Sequence, residues 1–327
     1  MSSGGNGPGW PAQEPAERWA ASPVEAILAA ELDQPVMPEA RAMAAAILAQ
    51  HGAAVAAILF YGSCLRTGDP SGLLDFYVLV DRPRDWHGGP GLRAALTALL
   101  PPDVEHWTVA QGDRTLRAKV AIIPRARFRR ALRPASLDTT IWARFCQPVA
   151  LLHARDDAAR AEARAGVAAA VRTAVNWAVR LGPEEGTPAD YWRALFRATY
   201  GAELRAERGD RAALVHAAAA DRYDALLRAA LPDAAPAPDG RLRPRLGPAQ
   251  RAAARRGWAL RRALGKPLNV ARLVKAAFTF AGGADYLAWK VERHSGVALH
   301  LTPWQRRHPI LAAPALLWRL RRAGAVR

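Results

Sequence analysis

The stretch AILFYGSCLRTGDPSGLLDFYVLVD, residues 57–81, is the most informative part of the sequence about the fold. It holds two apolar runs rich in β-branched and aromatic residues, and such runs are typical of β-strands. The first run ends at the tripeptide Tyr61-Gly62-Ser63. A glycine lets the backbone approach a phosphate closely, and the following amides and the Ser63 hydroxyl are hydrogen-bond donors for it. We therefore interpret the tripeptide as a phosphate-binding turn between two strands.

A single carboxylate, Asp75, lies inside the second strand. Because side chains alternate between the two faces of a strand, Asp75 shares a face with Leu73 and Tyr77, and Asp81 lies further along that face. Magnesium needs few protein oxygens, since phosphates and water complete its coordination shell. Asp75 is therefore the first candidate magnesium ligand. Asp81 is the second candidate, although a turn residue is the commoner role at the end of a strand. We expect Cys64, in the turn, to be a small buried side chain.

A third polar strand is predicted over TLRAKVAIIP, residues 115–124, joined by a tight turn to the preceding strand VEHWTVAQ. Its alternation places Thr115, Arg117 and Lys119 on one face, opposite an apolar face. If this strand lies beside the one that carries Asp75, its cations can neutralise a phosphate. A solvated face of an edge strand is the alternative interpretation.

Four motifs follow one another along the chain: Tyr61-Gly62-Ser63, then Leu74-Asp75-Phe76 leading to Val80-Asp81, Pro83 and Trp86-His87, then Leu116 to Lys119, then Ala143 to Val149 with Arg144 and Gln147. In this order they resemble the mitochondrial-type phosphatidate cytidylyltransferases, a family of the nucleotidyltransferase superfamily that also occurs in bacteria. The resemblance covers about residues 55 to 230 and departs from the family pattern at Cys64 and Ala143, where glycine is usual.

This resemblance implies transfer of CMP from CTP to phosphatidic acid, with Mg²⁺ as the cofactor. Family members also have one acid in the second strand, so a lone Asp75 does not imply an inactive site. The implied catalytic residues are Asp75 and Lys119, and the Trp86-His87 pair would order a loop beside the site. The implied nucleotide-binding residues are Tyr61, Gly62, Ser63, Arg117, Arg144 and Gln147, the last two with helix packing as an equal alternative.

Strands that alternate with helices, followed by long Ala-rich helical patterns, indicate an α+β protein with a nucleotidyltransferase-like mixed β-sheet. A helical domain follows the sheet domain, and a Pro-rich linker separates it from a basic C-terminal module. The predicted division is a disordered leader at 1–22, the sheet domain at 23–135, the helical domain at 136–231, the linker at 232–248 and a basic amphipathic C-terminal module at 249–327.

The net charge of +17 lies entirely in the last 87 residues, because residues 241–327 carry 19 basic and 2 acidic side chains. Such a block attracts a polyanion. Helical spacing of apolar residues among these cations favours an anionic membrane surface, where each basic residue contributes about 1 kcal/mol. The predicted membrane contacts are Arg272, Lys275, Phe278, Trp318, Arg319, Arg321 and Arg322.

Two cysteines without a disulfide framework fit a reducing compartment, and Arg- and Ala-rich composition suggests a bacterial source. The expected location is therefore the bacterial cytoplasm, peripheral on the inner face of the cell membrane. Two alternatives stay open: a nucleotidyltransferase with another acceptor such as RNA, and a non-catalytic relative that binds lipid or nucleic acid. Nucleic acid is the less favoured partner, since no RNA-binding motif is evident.

Overall fold

The computed structural model describes residues 22–202, 211–231, 235–236, 239–279, 288, 301–307, 312 and 315. Within them the chain is a mixed α+β protein, and its main feature is a five-stranded mixed sheet. The main-sheet strands are β1 (Val55–Tyr61), β2 (Leu74–Val80), β3 (Asp103–Gln111), β4 (Arg114–Pro124) and β5 (Val149–Ala154), and β6 (Ala235–Pro236) and β7 (Leu242–Arg243) form a separate pair.

Helices cover both faces of the sheet. The earlier ones are α1 (Pro23–Leu32), α2 (Pro38–His51), α3 (Ser63–Thr67), α4 (Pro83–Trp86), α5 (Leu92–Leu99), α6 (Arg125–Ala131) and α7 (Trp142–Phe145). The later ones are α8 (Asp157–Leu181), α9 (Pro188–Ala202), α10 (Arg211–Ala217), α11 (Ala220–Ala230), α12 (Pro248–Thr279) and α13 (Pro303–Arg307). Among the described residues, no helix is both long and apolar enough to cross a bilayer.

The strand order is β3-β4-β2-β1-β5. β1 pairs antiparallel with both β2 and β5, β3 pairs antiparallel with β4, and β2 and β4 are parallel. The chain reaches this parallel pair through α4, α5 and β3, as a parallel connection requires a crossover. The strands predicted over β1, β2 and the β3–β4 hairpin are confirmed.

Alternation along the strands divides the core into two apolar clusters. Leu74, Phe76 and Val78 of β2 belong to the cluster beneath α2 and α4, whereas Tyr77 and Leu79 belong to the cluster beneath α1 and α8. We call these two sides the α2 face and the α8 face. Asp75 alternates with Leu74 and Phe76, so it lies on the α8 face.

The predicted boundary at residue 135 does not separate two cores. β5 lies beyond that boundary yet forms an edge of the sheet beside β1. The α8-face cluster runs from Val24 in α1 to Trp258 in α12 without interruption. The helices between residues 136 and 231 and the first half of α12 therefore share one apolar core with the α8 face of the sheet.

Candidate functional site

Four polar or aromatic side chains stand in a row across four strands of the sheet. Tyr61 of β1 lies opposite Asp75 of β2, Asp75 lies opposite Lys119 of β4, and Lys119 lies opposite His106 of β3. Directly opposed residues share a face and have Cβ atoms about 5 Å apart, so the row crosses the α8 face at one end of the sheet. The predicted adjacency of Asp75 and Lys119 is confirmed by this register.

The turn after β1 brings its backbone against the Asp75 carboxylate. Gly62 has φ 95° and ψ −165°, a combination that is essentially restricted to glycine. A Cβ at this position would lie 2.6 Å from Asp75 Oδ2 and 3.2 Å from Asp75 Cβ. The glycine therefore has two reasons to be there, its backbone conformation and the space that the carboxylate occupies. Ser63 is exposed at the start of α3.

Three cations lie near enough to this one carboxylate to act on its charge. Burial raises the pKa of Asp75 above its ordinary value of 3.8, and the positive charges of Lys119, Arg144 and Arg66 partly oppose that rise. Desolvation disfavours the charged form, whereas neighbouring cations favour it. The site thus holds an excess of positive charge around a carboxylate that is costly to ionise, an arrangement suited to a ligand that brings several negative charges.

Arg144, from α7, reaches the site across two tyrosines. Its Nη1 donates a hydrogen bond to the Tyr77 hydroxyl at 3.0 Å, and its guanidinium carbon lies 5.8 Å from the centre of the Tyr61 ring. Contact with an aromatic face and a hydrogen bond fix the plane of the guanidinium. Burial is the main reason why the pKa of Tyr61 is raised, and the nearby Asp75 charge adds to it. Tyr61 is therefore a neutral wall of the site.

Gln147 contacts the helix that follows the glycine turn. Its Oε1 accepts a hydrogen bond from Arg66 Nη1 at 3.4 Å, and its Nε2 donates to the Ala143 carbonyl oxygen at 2.9 Å. Gln147 thus orients Arg66, which in turn contributes charge at Asp75. Predicted residues 61, 62, 75, 119, 144 and 147 all meet at this end of the sheet, with Ser63 at its rim.

Arg117 and Cys64 take other positions. Arg117 shares the face of Lys119 but lies two residues further toward the start of β4, where its Nη1 donates to the Thr115 carbonyl oxygen at 3.3 Å. Cys64 is buried, and its Sγ lies 3.3 Å from the Leu73 carbonyl oxygen. Burial raises the pKa of the Cys64 thiol, so the expected role as a small buried side chain is confirmed.

Asp81 lies far from Asp75 and the glycine turn, which corrects its place as the second candidate magnesium ligand. Asp81 is six residues further along the chain than Asp75, a span of about 20 Å in a strand. The Asp81 carboxylate accepts hydrogen bonds from Arg125 Nη1 at 2.7 Å and from Arg155 Nη1 at 2.8 Å. Slight burial raises the pKa of Asp81, but the bonds from Arg155 and Arg125 outweigh it and lower that pKa. Asp81 is an ion-paired residue at the far end of β2.

The Trp86-His87 pair lies on the α2 face, so it is not beside Asp75 as the resemblance implied. Trp86 is buried there and donates from Nε1 to Glu105 at 3.1 Å, while His87 Nε2 lies 3.1 Å from the Thr97 hydroxyl. His87, Asp103 and Glu105 approach one another closely enough to suggest a metal site. Both carboxylates, however, already accept hydrogen bonds from Arg93, at 2.9 and 2.7 Å.

Arg272 and Lys275 are also corrected, because both point into the protein rather than toward a membrane. Lys275 is buried, and its Nζ donates to the carbonyl oxygens of Leu100 at 2.9 Å and Pro102 at 2.6 Å. Arg272 donates from Nη2 to Asp138 Oδ2 at 2.5 Å and from Nε to the Pro101 carbonyl oxygen at 2.9 Å. The side chain of Phe278 and residues Trp318, Arg319, Arg321 and Arg322 lie outside what the structure describes.

Sequence reasoning did not single out Arg66, Tyr77 or His106. Arg66 lies one helical turn after Gly62, and a cation there is a recognisable companion of a phosphate-binding turn. Tyr77 follows from strand alternation, because it lies two residues after Asp75. His106 becomes visible only from the register of β3 on β4, since pairing rather than local sequence places it opposite Lys119.

The residues at this end of the sheet fit a magnesium–nucleotide complex. Magnesium prefers oxygen ligands and is commonly held by one or two carboxylates together with substrate phosphates. Asp75 supplies that carboxylate oxygen, beside a glycine whose missing side chain leaves room for it. The three cations around Asp75 suit the phosphates. Asp75 would hold the ion, and Lys119, Arg66 and Arg144 would hold the phosphates.

Comparison with known proteins adds no family to these observations. The chain matches no model of a protein family, and no curated protein matches it.

Proposed function

We propose that the protein is a phosphatidate cytidylyltransferase with a nucleotidyltransferase-like fold, which transfers CMP from CTP to phosphatidic acid. The observation that carries the proposal is the placement of Asp75, which meets the Gly62 backbone and is surrounded by Lys119, Arg144 and Arg66. A carboxylate among cations at a glycine turn matches the demands of a triphosphate with its magnesium ion. The order of the four sequence motifs supplies the choice of CTP and phosphatidic acid.

In the proposed reaction, a phosphate oxygen of phosphatidic acid attacks the α-phosphorus of CTP. A new P–O bond forms to that phosphorus, the bond to the bridging oxygen of the β-phosphate breaks, and pyrophosphate leaves. The nucleophile is already anionic near neutral pH, so no strong general base is required. Catalysis then depends on alignment and on charge stabilisation. When bound, magnesium would offset the negative charge of the phosphates.

Each residue of the site has a corresponding task. The backbone at Gly62 and the Ser63 hydroxyl face the triphosphate, and Lys119 neutralises charge on the phosphates. Arg144 is held in one plane by Tyr61 and Tyr77, so it presents fixed donors without losing much conformational freedom on binding. Ionised Asp75 is the metal ligand, which makes the reaction sensitive to its raised pKa.

The direct test is incubation of the purified protein with Mg²⁺, labelled CTP and phosphatidic acid. We expect label in an organic-soluble product and one pyrophosphate released for each CMP transferred. Label that enters added RNA instead would support the alternative acceptor. The absence of product with every nucleoside triphosphate and both acceptors would contradict the proposed activity and favour a non-catalytic binding protein.

A lipid substrate requires access to a membrane, and we place that contact on the outward side of α12. Leu260, Leu264, Val270 and Val274 fall within about one third of the helix circumference, at about 100° per residue, and are 41–56% exposed. Arg255, Arg262 and Lys266 are exposed along one flank of this stripe. Apolar side chains bordered by cations are typical of a helix that lies in the interface of an anionic membrane. In this proposal the α12 surface takes the membrane-binding role predicted for Arg272 and Lys275, whose side chains make hydrogen bonds inside the protein.

The double variant Arg262→Gln/Lys266→Gln tests this surface. Two cations near an anionic surface contribute about 2 kcal/mol together, so binding to phosphatidylglycerol vesicles should weaken by about 30-fold. Sedimentation with vesicles of phosphatidylglycerol and of phosphatidylcholine measures the change. The matched control is Arg127→Gln/Arg130→Gln, which removes the same charge from exposed positions on α6. An equal loss in both double variants would assign binding to net charge and contradict the α12 surface.

A further inference from the structure

The segment from Cys146 to Val149, which carries Gln147, is held at both ends by one ion pair from the helical layer. Arg222 of α11 donates from Nη1 to the Cys146 carbonyl oxygen at 2.8 Å. Glu31 of α1 accepts a hydrogen bond from the Val149 backbone N–H at 3.1 Å. The Glu31 carboxylate also accepts hydrogen bonds from Arg222, one from Nε and one from Nη2 at 3.0 Å. The pair therefore closes a loop of contacts around the segment.

This ion pair is largely buried, since the side chains of Arg222 and Glu31 are only 13% and 11% exposed. Removing two charges from water is costly unless their hydrogen bonds are satisfied. Here the pair also makes hydrogen bonds to the backbone of the segment, from Arg222 to the Cys146 carbonyl oxygen and from the Val149 N–H to Glu31. The Cys146 carbonyl follows the last turn of α7, where carbonyl groups lack a helical partner.

The held segment reaches the candidate site through two side chains. Gln147 accepts the hydrogen bond from Arg66, and Arg66 contributes positive charge at Asp75. Arg144 lies in α7, two residues before the segment, where it contacts Tyr61 and Tyr77. Its carbonyl oxygen accepts a hydrogen bond from the Gln147 backbone N–H at 3.3 Å. Two of the three cations at Asp75 are thus tied to this segment, Arg66 through the Gln147 side chain and Arg144 through the adjoining turn of α7.

We propose that Glu31 and Arg222 are positioning residues of the Asp75 site, which fix Arg66 and Arg144 for a ligand bearing a diphosphate group. The inference rests on the proposed function only in taking the ligand of that site to be a polyphosphate. Helices α1 and α11 would thus affect ligand binding indirectly, through the contacts of Glu31 and Arg222 with the segment 146–149.

The test uses inorganic pyrophosphate with Mg²⁺ as the probe, measured by calorimetry on the full-length protein. We expect Arg222→Gln to weaken pyrophosphate binding by about tenfold, the loss that one misplaced charge-assisted hydrogen bond produces. The matched control is Arg172→Gln, which breaks a similar ion pair between α8 and Glu25 of α1. That pair does not contact the segment 146–149, so the control should change binding less than twofold.

Arg222→Gln leaves Glu31 buried without its partner, so the double variant Glu31→Gln/Arg222→Gln provides a second measurement. It removes both charges together, and its weaker amide contacts should still lower pyrophosphate affinity several-fold at unchanged folding. Affinity equal to that of the wild type in the double variant would overturn the inference, as would equal losses in Arg222→Gln and Arg172→Gln. A wild type that binds no pyrophosphate would overturn it too.

Failure of the positioning role can be distinguished from failure of the proposed cytidylyltransferase activity. A wild type that binds pyrophosphate but makes no lipid product from CTP would refute the cytidylyltransferase. The positioning role would then still be judged by the difference between Arg222→Gln and Arg172→Gln.

Discussion

Replacement of Asp75 by asparagine is expected to abolish CMP transfer while making the protein more stable. Asparagine keeps the shape of the side chain but loses the anionic oxygen that we propose as the magnesium ligand. Charge stabilisation by a metal ion contributes several kcal/mol, and each 1.36 kcal/mol is a factor of ten in rate. We therefore expect kcat/KM to fall by about 10³-fold or more, measured as transfer of labelled CMP to phosphatidic acid.

The gain in stability follows from the pKa of Asp75. Burial raises that pKa above 3.8, so the folded protein binds the carboxyl proton more tightly than the unfolded chain does. Ionisation then destabilises the folded state, and this cost develops as the pH rises through the interval between the unfolded and folded pKa values. A neutral asparagine avoids the cost. The Tm of Asp75→Asn should exceed that of the wild type at neutral pH, and the difference should vanish at low pH.

Asp81→Asn on the same strand is the control with the opposite sign. Hydrogen bonds from Arg155 and Arg125 lower the pKa of Asp81, so its charge stabilises the folded state above the unfolded pKa. Its removal should lower the Tm at neutral pH and leave transfer unchanged, because Asp81 lies about 20 Å from Asp75 along β2. Full activity in Asp75→Asn would refute the metal-binding role, and a lower Tm would contradict the argument from burial.

The alternation of side chains on β2 and β4 made much of the site predictable. Residues 61, 75 and 119 could be placed on strands and assigned to faces from local sequence alone. What local sequence does not contain is the pairing of strands that are distant along the chain. The parallel register of β2 with β4 sets Lys119 opposite Asp75, and the register of β3 adds His106. The sequence therefore allows only a hypothesis that these residues meet, and the pairing of the strands shows that they do.

The strand β5 lies beyond the predicted boundary at residue 135 and still belongs to the sheet. Its six residues follow Pro148, contain one β-branched side chain and end in His153 and Ala154, so the local signal is weak. The strand forms because β1 would otherwise present an unpaired edge, a tertiary requirement that composition does not reveal. Arg144 and Gln147 come just before this strand, so their motif alone could not give their position.

Two predicted membrane contacts in the basic C-terminal module, Arg272 and Lys275, differ from the structure for a related reason. Helical spacing indicates which residues share a face, but it does not indicate which face points outward. Lys275 and Arg272 were assigned to a membrane because cations are usually exposed. In the structure, carbonyl oxygens around residues 100–102 and the carboxylate of Asp138 accept their hydrogen bonds. The apolar stripe on the opposite side of α12 is left facing outward.

Gly62→Ala should inactivate the protein through the position of Asp75, without changing a single polar group. The backbone conformation at Gly62, φ 95° and ψ −165°, disfavours any other residue by about 1–3 kcal/mol. In addition, the new Cβ would lie 2.6 Å from Asp75 Oδ2, so the carboxylate has to move. A displacement of about 1 Å in a positioned group costs about 10²-fold in rate. We expect a loss of at least that size in kcat/KM, together with weaker binding of magnesium–CTP.

Gly68→Ala separates the two causes, because Gly68 lies at the other end of α3 and also has a positive φ, 71°, but a Cβ there meets no atom within 4 Å. Both alanine variants should unfold more easily, since each forces an L-residue into a left-handed conformation. Only Gly62→Ala also moves the Asp75 carboxylate, so only it should lose transfer activity. Equal activity of the two variants at a temperature where both are folded would mean that the contact between Gly62 and Asp75 has no part in catalysis. The matched pair therefore tests the close approach of turn and carboxylate on which the proposed site depends.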